Sequence, residues 1–375
     1  MRRSRRERHQ GALGQAITRA GSGPTVAQAG NGYPVGISGK YHISIYRDIM
    51  VNHNNMNGHV KISPIVGYIK IARIDHWIKN VFVVPGIVAA LVLDPNVNKN
   101  IWFNVLIGMI SVCIVSSSNY TINEIVDAPY DKFHPTKKYR PVPCGMVNLK
   151  IAYIQWLLLG VIGIGLGSLI SYQYMFIMFS LWFMGCVYNL KPIRSKDIPY
   201  IDILSEAVNN PIRMLAGWYI VSSTTIPPAS LILGYWMLGS YFMATKRFAE
   251  FKNIGHAINI QTYRKSFAYF SEQKLLWVII FFASSSMLFI GAFIMRYRIE
   301  LIAAVPLISW VMAIYFNLSF DEDSAAQNPE KLYREPLLLI ATIVCSAAIL
   351  ILMFVDIHFL RDVFSPTVPL QVKPY

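Results

Sequence analysis

The sequence predicts an all-α, polytopic membrane protein, and three observations lead to this class. Of its 375 residues, 54% are hydrophobic and only 14% are charged, and the mean hydropathy is +0.41, values that soluble proteins rarely combine. The apolar residues form long runs separated by short polar connections, as in chains that cross a bilayer repeatedly. The cations are concentrated in alternate connections, which is typical of a multi-pass membrane protein.

The first 57 residues differ from the rest of the chain. Five arginines within the first eight residues lead into a stretch rich in Gly, Ser, Asn and His without apolar periodicity, which predicts a disordered basic tail. A transit peptide, or a start codon placed upstream of a true start at Met50 or Met56, would give a similar composition. We predict a transmembrane domain over residues 58–360, between this tail (1–57) and a short C-terminal tail (361–375).

Nine apolar stretches follow, most of them close to the roughly 20 residues that cross a bilayer as a helix. The first is short and is expected to begin upstream, between Ile65 and Trp77. The predicted limits are Asn80–Leu93, Ile101–Ser118, Ile151–Ile170, Tyr174–Leu190, Ile198–Ser222, Ile226–Thr245, Leu275–Met295, Ile299–Leu318 and Pro336–Asp356. These stretches predict a bundle of nine transmembrane helices.

The connections between these stretches differ strongly in charge. Those after stretches two, four, six and eight carry sixteen Lys and Arg residues, and the intervening ones carry three. By the positive-inside rule, the N-terminus and the even-numbered connections face the cytoplasm. We therefore expect an integral protein of a bacterial inner membrane, with its active site open to the cytoplasm.

The net charge of +14 would suggest a nucleic-acid partner in a soluble protein. Here the bases lie between apolar runs and form no recognisable nucleic-acid motif. We therefore expect no nucleic-acid partner, and we interpret the cations through membrane orientation and anionic ligands.

The connection after the second stretch contains Asn123, Asp127 and Asp131 at a spacing of four and four. On a helix this spacing keeps the three side chains on one face. Two carboxylates and an amide oxygen suit Mg²⁺, which takes oxygen ligands and leaves positions open for substrate phosphates. Glu124 lies off that face, and Pro129 is expected to kink or end the helix. An ordinary solvated helix at the membrane edge is the alternative.

Cations follow these carboxylates directly, in the segment HPTKKYRP, which contains Lys137 and Arg140. Metal-binding acids beside fixed cations form an arrangement that holds a polyanion such as a diphosphate. The neighbouring cations therefore favour a magnesium and diphosphate site over a merely solvated helix.

A second polar cluster interrupts the fifth stretch. Its members recur every three to four residues on one helix face: Asp202, Glu206, Asn209 or Asn210, and Arg213. Ionisable groups inside a membrane are costly unless they face a polar cavity or one another. The pattern predicts a cavity lining, and an internal bridge of Arg213 with Glu206 or Asn209 is the structural alternative.

Several residues near the predicted membrane edges are weaker candidates. Asp197 is either a further metal ligand or a partner of Lys196. Lys79 opens the first stretch in ARIDHWIKN, and Lys246 and Arg247 begin the longest internal connection in TKRFAEFKN. We include these three cations as substrate-binding candidates, although basic membrane anchors would account for them equally well.

Together these segments resemble the UbiA superfamily of intramembrane transferases, over roughly Ile62 to Asp356. The resemblance rests on nine spans, an Asn-x-x-x-Asp-x-x-x-Asp motif after the second, and a second acidic cluster entering the fifth. ARIDHWIKN, NEIVDAPYDKFHPTKKYRP and TKRFAEFK look most similar to the branch of decaprenyl-phosphate phosphoribosyltransferases, which use Mg²⁺ and phosphoribosyl diphosphate. The resemblance implies a UbiA-like nine-helix bundle.

For the first motif, the resemblance implies that Asn123, Asp127 and Asp131 hold Mg²⁺ and a diphosphate. Lys137 and Arg140 would then neutralise the charge of the diphosphate.

For the second motif, the resemblance makes Asp202 the acid and places Tyr188 and Lys191 at the cavity mouth. The chain departs from the family pattern at Glu124, where Asp usually follows the Asn. The spacing from Asp197 to Asp202 is also one residue longer than in aromatic prenyltransferases.

We expect an Mg²⁺-dependent transferase that acts on a polyprenyl phosphate or diphosphate in the bilayer. The leading hypothesis is phosphoribosyl transfer from phosphoribosyl diphosphate to a polyprenyl phosphate, in which Asp127 and Asp131 act on the leaving diphosphate. Asp202 or Glu206 would stabilise the positive carbon or orient the acceptor. The alternatives are prenyl transfer to an aromatic or other small acceptor, and, from another class, a transporter or channel.

Overall fold

The computed structural model describes residues 64–95, 97, 100–132, 137–254, 265–321, 326 and 335–364. Within these residues the regular elements are helices and no strand occurs, which confirms the predicted all-α class. The predicted N-terminal tail, and residues 133–136 of the cationic segment, lie outside the described residues.

Twelve α-helices make up most of this described part. They are α1 (Pro64–Ile71), α2 (Val84–Leu93), α3 (Ile101–Asp131), α4 (Leu149–Gly167), α5 (Tyr172–Asn189), α6 (Ile201–Ala207), α7 (Asn209–Val221), α8 (Ala229–Ile254), α9 (Glu272–Tyr297), α10 (Val305–Leu318), α11 (Pro336–Phe354) and α12 (His358–Phe364). Short 3-10 segments join some of them, at Ile74–Val83, Lys137–Tyr139, Ser195–Asp197, Lys265–Tyr269 and Ile299–Ala304.

Six helical stretches among the described residues are long and apolar enough to cross a membrane. They are Ile65–Leu93, Ile101–Asp131, Leu149–Gly167, Glu272–Tyr297, Ile299–Leu318 and Pro336–Phe354. They coincide with predicted spans one, two, three, seven, eight and nine. The other three predicted spans fall on helices that are interrupted or richer in polar and aromatic residues, so the count of nine stays a prediction.

The first two predicted spans differ in shape from the expectation. Arg73 has a left-handed backbone (φ 48°) and separates α1 from the 3-10 segment that leads into α2, so the first span is not one regular α-helix. α3 continues beyond Ser118 to Asp131 and carries the whole first motif. Pro129 removes the hydrogen bond that an N–H would donate to the carbonyl of Ile125, and α3 continues for only two residues beyond it.

The fifth predicted span is divided into α6 and α7 at Val208. Pro211 accounts for the division, because it has no N–H to donate to the carbonyl of Ala207 and its ring clashes with that carbonyl in a regular helix. The break falls between Glu206 and Arg213, so the second polar cluster is distributed over two short helices.

α6 and α7 contribute to two different apolar cores. Ile203 of α6 packs with residues of α8, α9 and α10, whereas Ile212 of α7 packs with residues of α2, α3 and α5. α7 approaches α2 so closely that a Cβ added at Gly86 would lie 1.8 Å from the carbonyl oxygen of Met214, and one at Gly217 would lie 2.0 Å from a backbone carbonyl before α2. Small residues allow membrane helices to pack this closely. The polar side chains of α6 and α7 are therefore held in position from both sides.

Candidate active site

Two polar side chains of α3 face a buried lysine from the connection after α5. Lys196 is 5% exposed. Its ammonium lies 2.5 Å from Asp127 Oδ1, 2.8 Å from Asn189 Oδ1 and 3.4 Å from Asn123 Oδ1. Three oxygens from two helices thus surround the ammonium group of Lys196. We call these three oxygens the oxygen pocket.

Arg194 adds a second positive charge beside this oxygen pocket. Its Nη2 lies 3.4 Å from Asp127 Oδ1, and its Nε lies 3.0 Å from Asp197 Oδ2. Asp197 therefore contacts Arg194 and not Lys196, the partner considered from the sequence. The backbone of Arg194 is left-handed (φ 36°), a conformation that costs energy for a non-glycine residue and persists where surrounding contacts enforce it.

The other two acids at the end of α3 are bound by cations as well. Arg140 Nη1 lies 2.6 Å from Asp131 Oδ2, and Arg73 Nη2 lies 3.6 Å from Glu124 Oε2. Glu124 also accepts a hydrogen bond of 3.3 Å from the backbone N–H of Val142. These contacts fix the connection after α3 against its last turns and hold Arg140 beside the first motif.

The oxygen pocket has the donor chemistry that Mg²⁺ requires. No group of three or more His, Cys, Asp or Glu side chains in the described ranges is arranged to hold a metal, so a metal here would use Asn123 and Asp127 and complete its coordination with substrate oxygens or water. Every carboxylate here is paired with a cation: Asp131 with Arg140, Asp197 with Arg194, and Asp127 with Lys196 and Arg194. Lys196 contacts both Asn123 and Asp127, so its displacement would free two metal ligands at once. The fit is therefore best at Asn123 and Asp127.

The second acidic cluster is closed around a buried guanidinium. Arg247 of α8 is 1% exposed; its Nε lies 3.1 Å from Asp202 Oδ2, its Nη1 lies 3.0 Å from Glu250 Oε2, and its Nη2 contacts Glu206 Oε2. Asp202 is fully buried. Removing one partner of such a cluster leaves uncompensated buried charge. The cluster therefore does not fit a metal, because Arg247 already lies between its carboxylates.

Glu206 is the most accessible acid of this cluster, with 26% of its side chain exposed against 12% for Glu250. It accepts a hydrogen bond of 2.9 Å from the Tyr188 hydroxyl, and Lys246 Nζ lies 3.4 Å from its other oxygen. The structure thus brings together four candidate residues from three separate segments of the sequence: Tyr188, Glu206, and the neighbours Lys246 and Arg247.

Arg213 lies apart from both acidic clusters. Its hydrogen-bond partners are Asn80, Ser116 and the backbone carbonyl of Asn209. Of the alternative bridges considered from the sequence, the one to Glu206 does not form, and Asn209 is contacted only through its backbone. Asn80 and Ser116 belong to different elements, which places Arg213 where the 3-10 segment before α2, α3 and α7 meet.

The remaining predicted substrate-binding lysines differ in accessibility. Lys137 and Lys79 are half-buried, and Lys191 is exposed in the connection after α5. Asn189 was not selected from the sequence, and Lys196 was considered only as a partner of Asp197. The cation-rich segment KPIRSKD was the available signal, but which oxygens its lysine reaches depends on tertiary structure.

Comparison with known proteins gives a consistent result. A sequence model of the UbiA prenyltransferase family matches residues 82–343. The decaprenyl-phosphate phosphoribosyltransferase of Corynebacterium glutamicum is 29% identical over 197 residues, 49% of this chain and 54% of that protein. The protein of the same name from Mycobacterium tuberculosis is 28% identical over 188 residues, 50% of this chain and 60% of that protein. The chain thus spans little more than half the length of these relatives.

The fold is also that of a solved UbiA homolog from Archaeoglobus fulgidus bound to DMAPP and Mg²⁺. The TM-score is 0.59 at 17% identity, covering 76% of this chain and 97% of that chain. The matched region of the family model contains both acidic clusters and Arg247, and the apolar spans make the chain an integral, multi-pass membrane protein. The chain therefore belongs to the UbiA prenyltransferase family.

Proposed function

We propose that this protein transfers the phosphoribosyl group of phosphoribosyl diphosphate to a polyprenyl phosphate and releases diphosphate, with Mg²⁺ as cofactor. The observation that carries the proposal is the oxygen pocket around Lys196, with Arg194 beside it. Two relatives named decaprenyl-phosphate phosphoribosyltransferase support this donor and acceptor.

The proposed topology has nine spans, in which α5, the α6–α7 pair and α8 add three to the six apolar ones. Arg140, Arg194 and Lys196 lie in connections that follow even-numbered spans. The positive-inside rule then supports a cytoplasmic opening of the site, in a bacterial inner membrane. Phosphoribosyl diphosphate, a water-soluble donor, would enter from that side.

In the proposed reaction the bond between the anomeric carbon and the diphosphate oxygen breaks, and its electron pair leaves with the diphosphate. An oxygen of the ionised polyprenyl phosphate forms the new bond to that carbon, so no general base is needed. Asn123 and Asp127 would hold Mg²⁺, which would supply positive charge to the diphosphate. Lys196, released from those oxygens, would pair with the diphosphate together with Arg194.

Glu206 is proposed to lie near the positive charge that develops on the ribosyl group. Positive charge develops on the anomeric carbon as the diphosphate leaves, and an accessible carboxylate can stabilise it or orient the acceptor. Arg247 and the Tyr188 hydroxyl hold Glu206 in position, and Asp202 contributes by holding Arg247. The remaining predicted substrate contacts are Lys137, Arg140, Lys191, Arg213, Lys79 and Lys246, and Asp131 remains a predicted catalytic and metal-binding residue.

The test is a transfer assay with purified protein in lipid nanodiscs. Labelled phosphoribosyl diphosphate with polyprenyl phosphate should give a labelled lipid, and labelled prenyl diphosphate with an aromatic acid should give no product. Chelation of Mg²⁺ should abolish transfer, and Asp127→Asn should lower it at least about 100-fold. The matched control is Asp321→Asn, because Asp321 is an exposed aspartate, and it should retain activity. Product formation with prenyl diphosphate as the donor, and none with phosphoribosyl diphosphate, would contradict the proposal.

Prenyl transfer to a small acceptor is the second candidate. The A. fulgidus homolog bound to DMAPP and Mg²⁺ favours it, since DMAPP is a prenyl diphosphate. Both reactions require a bound diphosphate, so the two labelled donors separate them directly. Membership of a transferase family argues against the transporter or channel alternative.

A further inference from the structure

We propose that Arg213, Asn80 and Ser116 form a second anion site, which binds a phosphate monoester where α3, α7 and the 3-10 segment before α2 meet. The cation at this site has only neutral hydrogen-bond partners. Arg213 Nε donates to Asn80 Oδ1 at 3.0 Å, Nη2 donates to Ser116 Oγ at 3.4 Å, and Nη1 donates to the carbonyl of Asn209 at 3.3 Å. Ser116 Oγ in turn donates to Asn80 Oδ1 at 3.1 Å.

Arg213 differs in this respect from the other buried or half-buried arginines among the described residues. Each of those contacts a carboxylate oxygen at 3.6 Å or less: Arg73, Arg140, Arg194, Arg247 and Arg298. Arg213 forms no ion pair with any described residue. A guanidinium stays charged in proteins, and a charge within a membrane protein is costly unless a counter-ion or a polar cavity compensates it. The charge of Arg213 thus calls for an anionic ligand.

The guanidinium also has the free donors and the access that such a ligand needs. Three of its five N–H groups bond to Asn80, Ser116 and Asn209, and one remains on each terminal nitrogen. Two parallel N–H groups match two oxygens of a phosphate. Asn80 and Ser116 are buried, but Arg213 keeps accessible surface, as does Tyr120, one turn from Ser116 on α3. The unused donors therefore belong to a side chain that is only partly enclosed.

The depth of the site follows from α3. Ser116 precedes Asn123, a member of the oxygen pocket, by seven residues on this one helix. At 1.5 Å per residue, the interval corresponds to about 10 Å along the helix. The second anion site is thus about two helical turns from the oxygen pocket, which suits substrates that carry a phosphate group apart from the diphosphate.

Under the proposed function, on which this assignment of the ligand rests, two phosphate monoesters are available. One is the 5-phosphate of the ribosyl group, and the other is the phosphate of the polyprenyl acceptor. Both offer the same phosphate chemistry, and the KM of each substrate shows which of the two phosphates binds at Arg213. Arg213→Gln should raise KM about 10- to 100-fold for the substrate whose phosphate binds there, as expected for loss of charge-assisted hydrogen bonds. KM for the other substrate should change less than about threefold.

Arg213→Lys keeps the charge but loses the planar pair of donors, so its KM should lie between those of the wild type and Arg213→Gln. The matched control is Arg296→Gln, because Arg296 is an exposed arginine at the end of α9, and its KM values should equal those of the wild type. Unchanged KM for both substrates in a folded Arg213→Gln protein would overturn the anion site, even if the wild type transfers phosphoribosyl groups. If Arg213→Gln fails to fold, Ser116→Ala and Arg213→Lys decide the question by the same KM criterion.

A failure of the proposed function has a different signature, namely no phosphoribosyl transfer by the wild type. In that case thermal stabilisation by ribose 5-phosphate and by a short isoprenyl phosphate replaces kinetics. Stabilisation of the wild type and Arg296→Gln, but not of Arg213→Gln or Arg213→Lys, would support the anion site. Equal responses in all four proteins, or none, would overturn it.

Discussion

Replacement of Arg247 by methionine should strongly destabilise the protein. Methionine has a similar length but no charge, so Asp202, Glu206 and Glu250 would lose their common partner. Removing one partner of a buried ion pair costs about 3–5 kcal/mol. The cost does not triple, because Glu206 retains its contacts with Tyr188 and Lys246. We therefore expect a loss of about 3–5 kcal/mol.

The loss can be measured as a shift of the thermal unfolding midpoint in nanodiscs. At about 2–4 °C per kcal/mol for proteins of 150–250 residues, Arg247→Met should unfold roughly 6–20 °C earlier than the wild type. Arg296→Met, at an exposed site, is the matched control and should shift the midpoint by less than about 2 °C. Combining Arg247→Met with Asp202→Asn should cost less than the sum of the two single changes, because both act on one ion pair. Equal midpoints for Arg247→Met and Arg296→Met would refute the reasoning.

Three further outcomes follow from the same contacts. Lys196→Met should raise the affinity for Mg²⁺ in the absence of diphosphate about tenfold, because it removes the ammonium from the oxygen pocket; calorimetric titration checks this, and unchanged affinity speaks against a shared position. With diphosphate present, the same titration on the wild type should give one Mg²⁺ per chain, and two would contradict a single metal position at Asn123 and Asp127. Gly217→Ala should lower stability by about 2 kcal/mol or more, since the added Cβ would lie 2.0 Å from a backbone carbonyl. Gly291→Ala, where a Cβ meets nothing within 4 Å, should unfold like the wild type, and equal midpoints for the two variants would contradict the close packing of α7 on α2.

The helical class and the approximate limits of the apolar spans could be predicted because hydrophobic runs of bilayer length rarely occur outside membrane-spanning helices. The division at Val208 was also within reach, since Pro211 lies in the middle of the predicted span. The left-handed backbone at Arg73 left no comparable sign, because a non-glycine residue adopts it only where tertiary contacts enforce it. Local sequence thus predicted where the helices lie better than where their backbone departs from regular helical geometry.

The acids of the candidate site were predictable from spacing, whereas their partners were not. Asn123 and Asp127 share a helix face whatever the rest of the chain does, because one turn separates them. Lys196 and Arg247 reach the acids of the two clusters from distant segments, and nothing in the local sequence states which oxygen a cation will contact. Asn189 has no charge and lies at the end of an apolar helix, so only the folded structure reveals its role beside Lys196.

Both acidic clusters already hold a cation supplied by the chain, and accessibility separates their roles. Around Lys196 the partners are one carboxylate and two neutral amides, and the Asp127 side chain is 24% exposed. An incoming metal can replace the Lys196 ammonium at the protein oxygens, and the diphosphate can replace those oxygens as the partner of the ammonium. Around Arg247 the guanidinium and Asp202 are both enclosed, so exchange would leave buried charges without partners. The first cluster is therefore suited to binding and release in each turnover, and the second to holding Glu206 in place throughout.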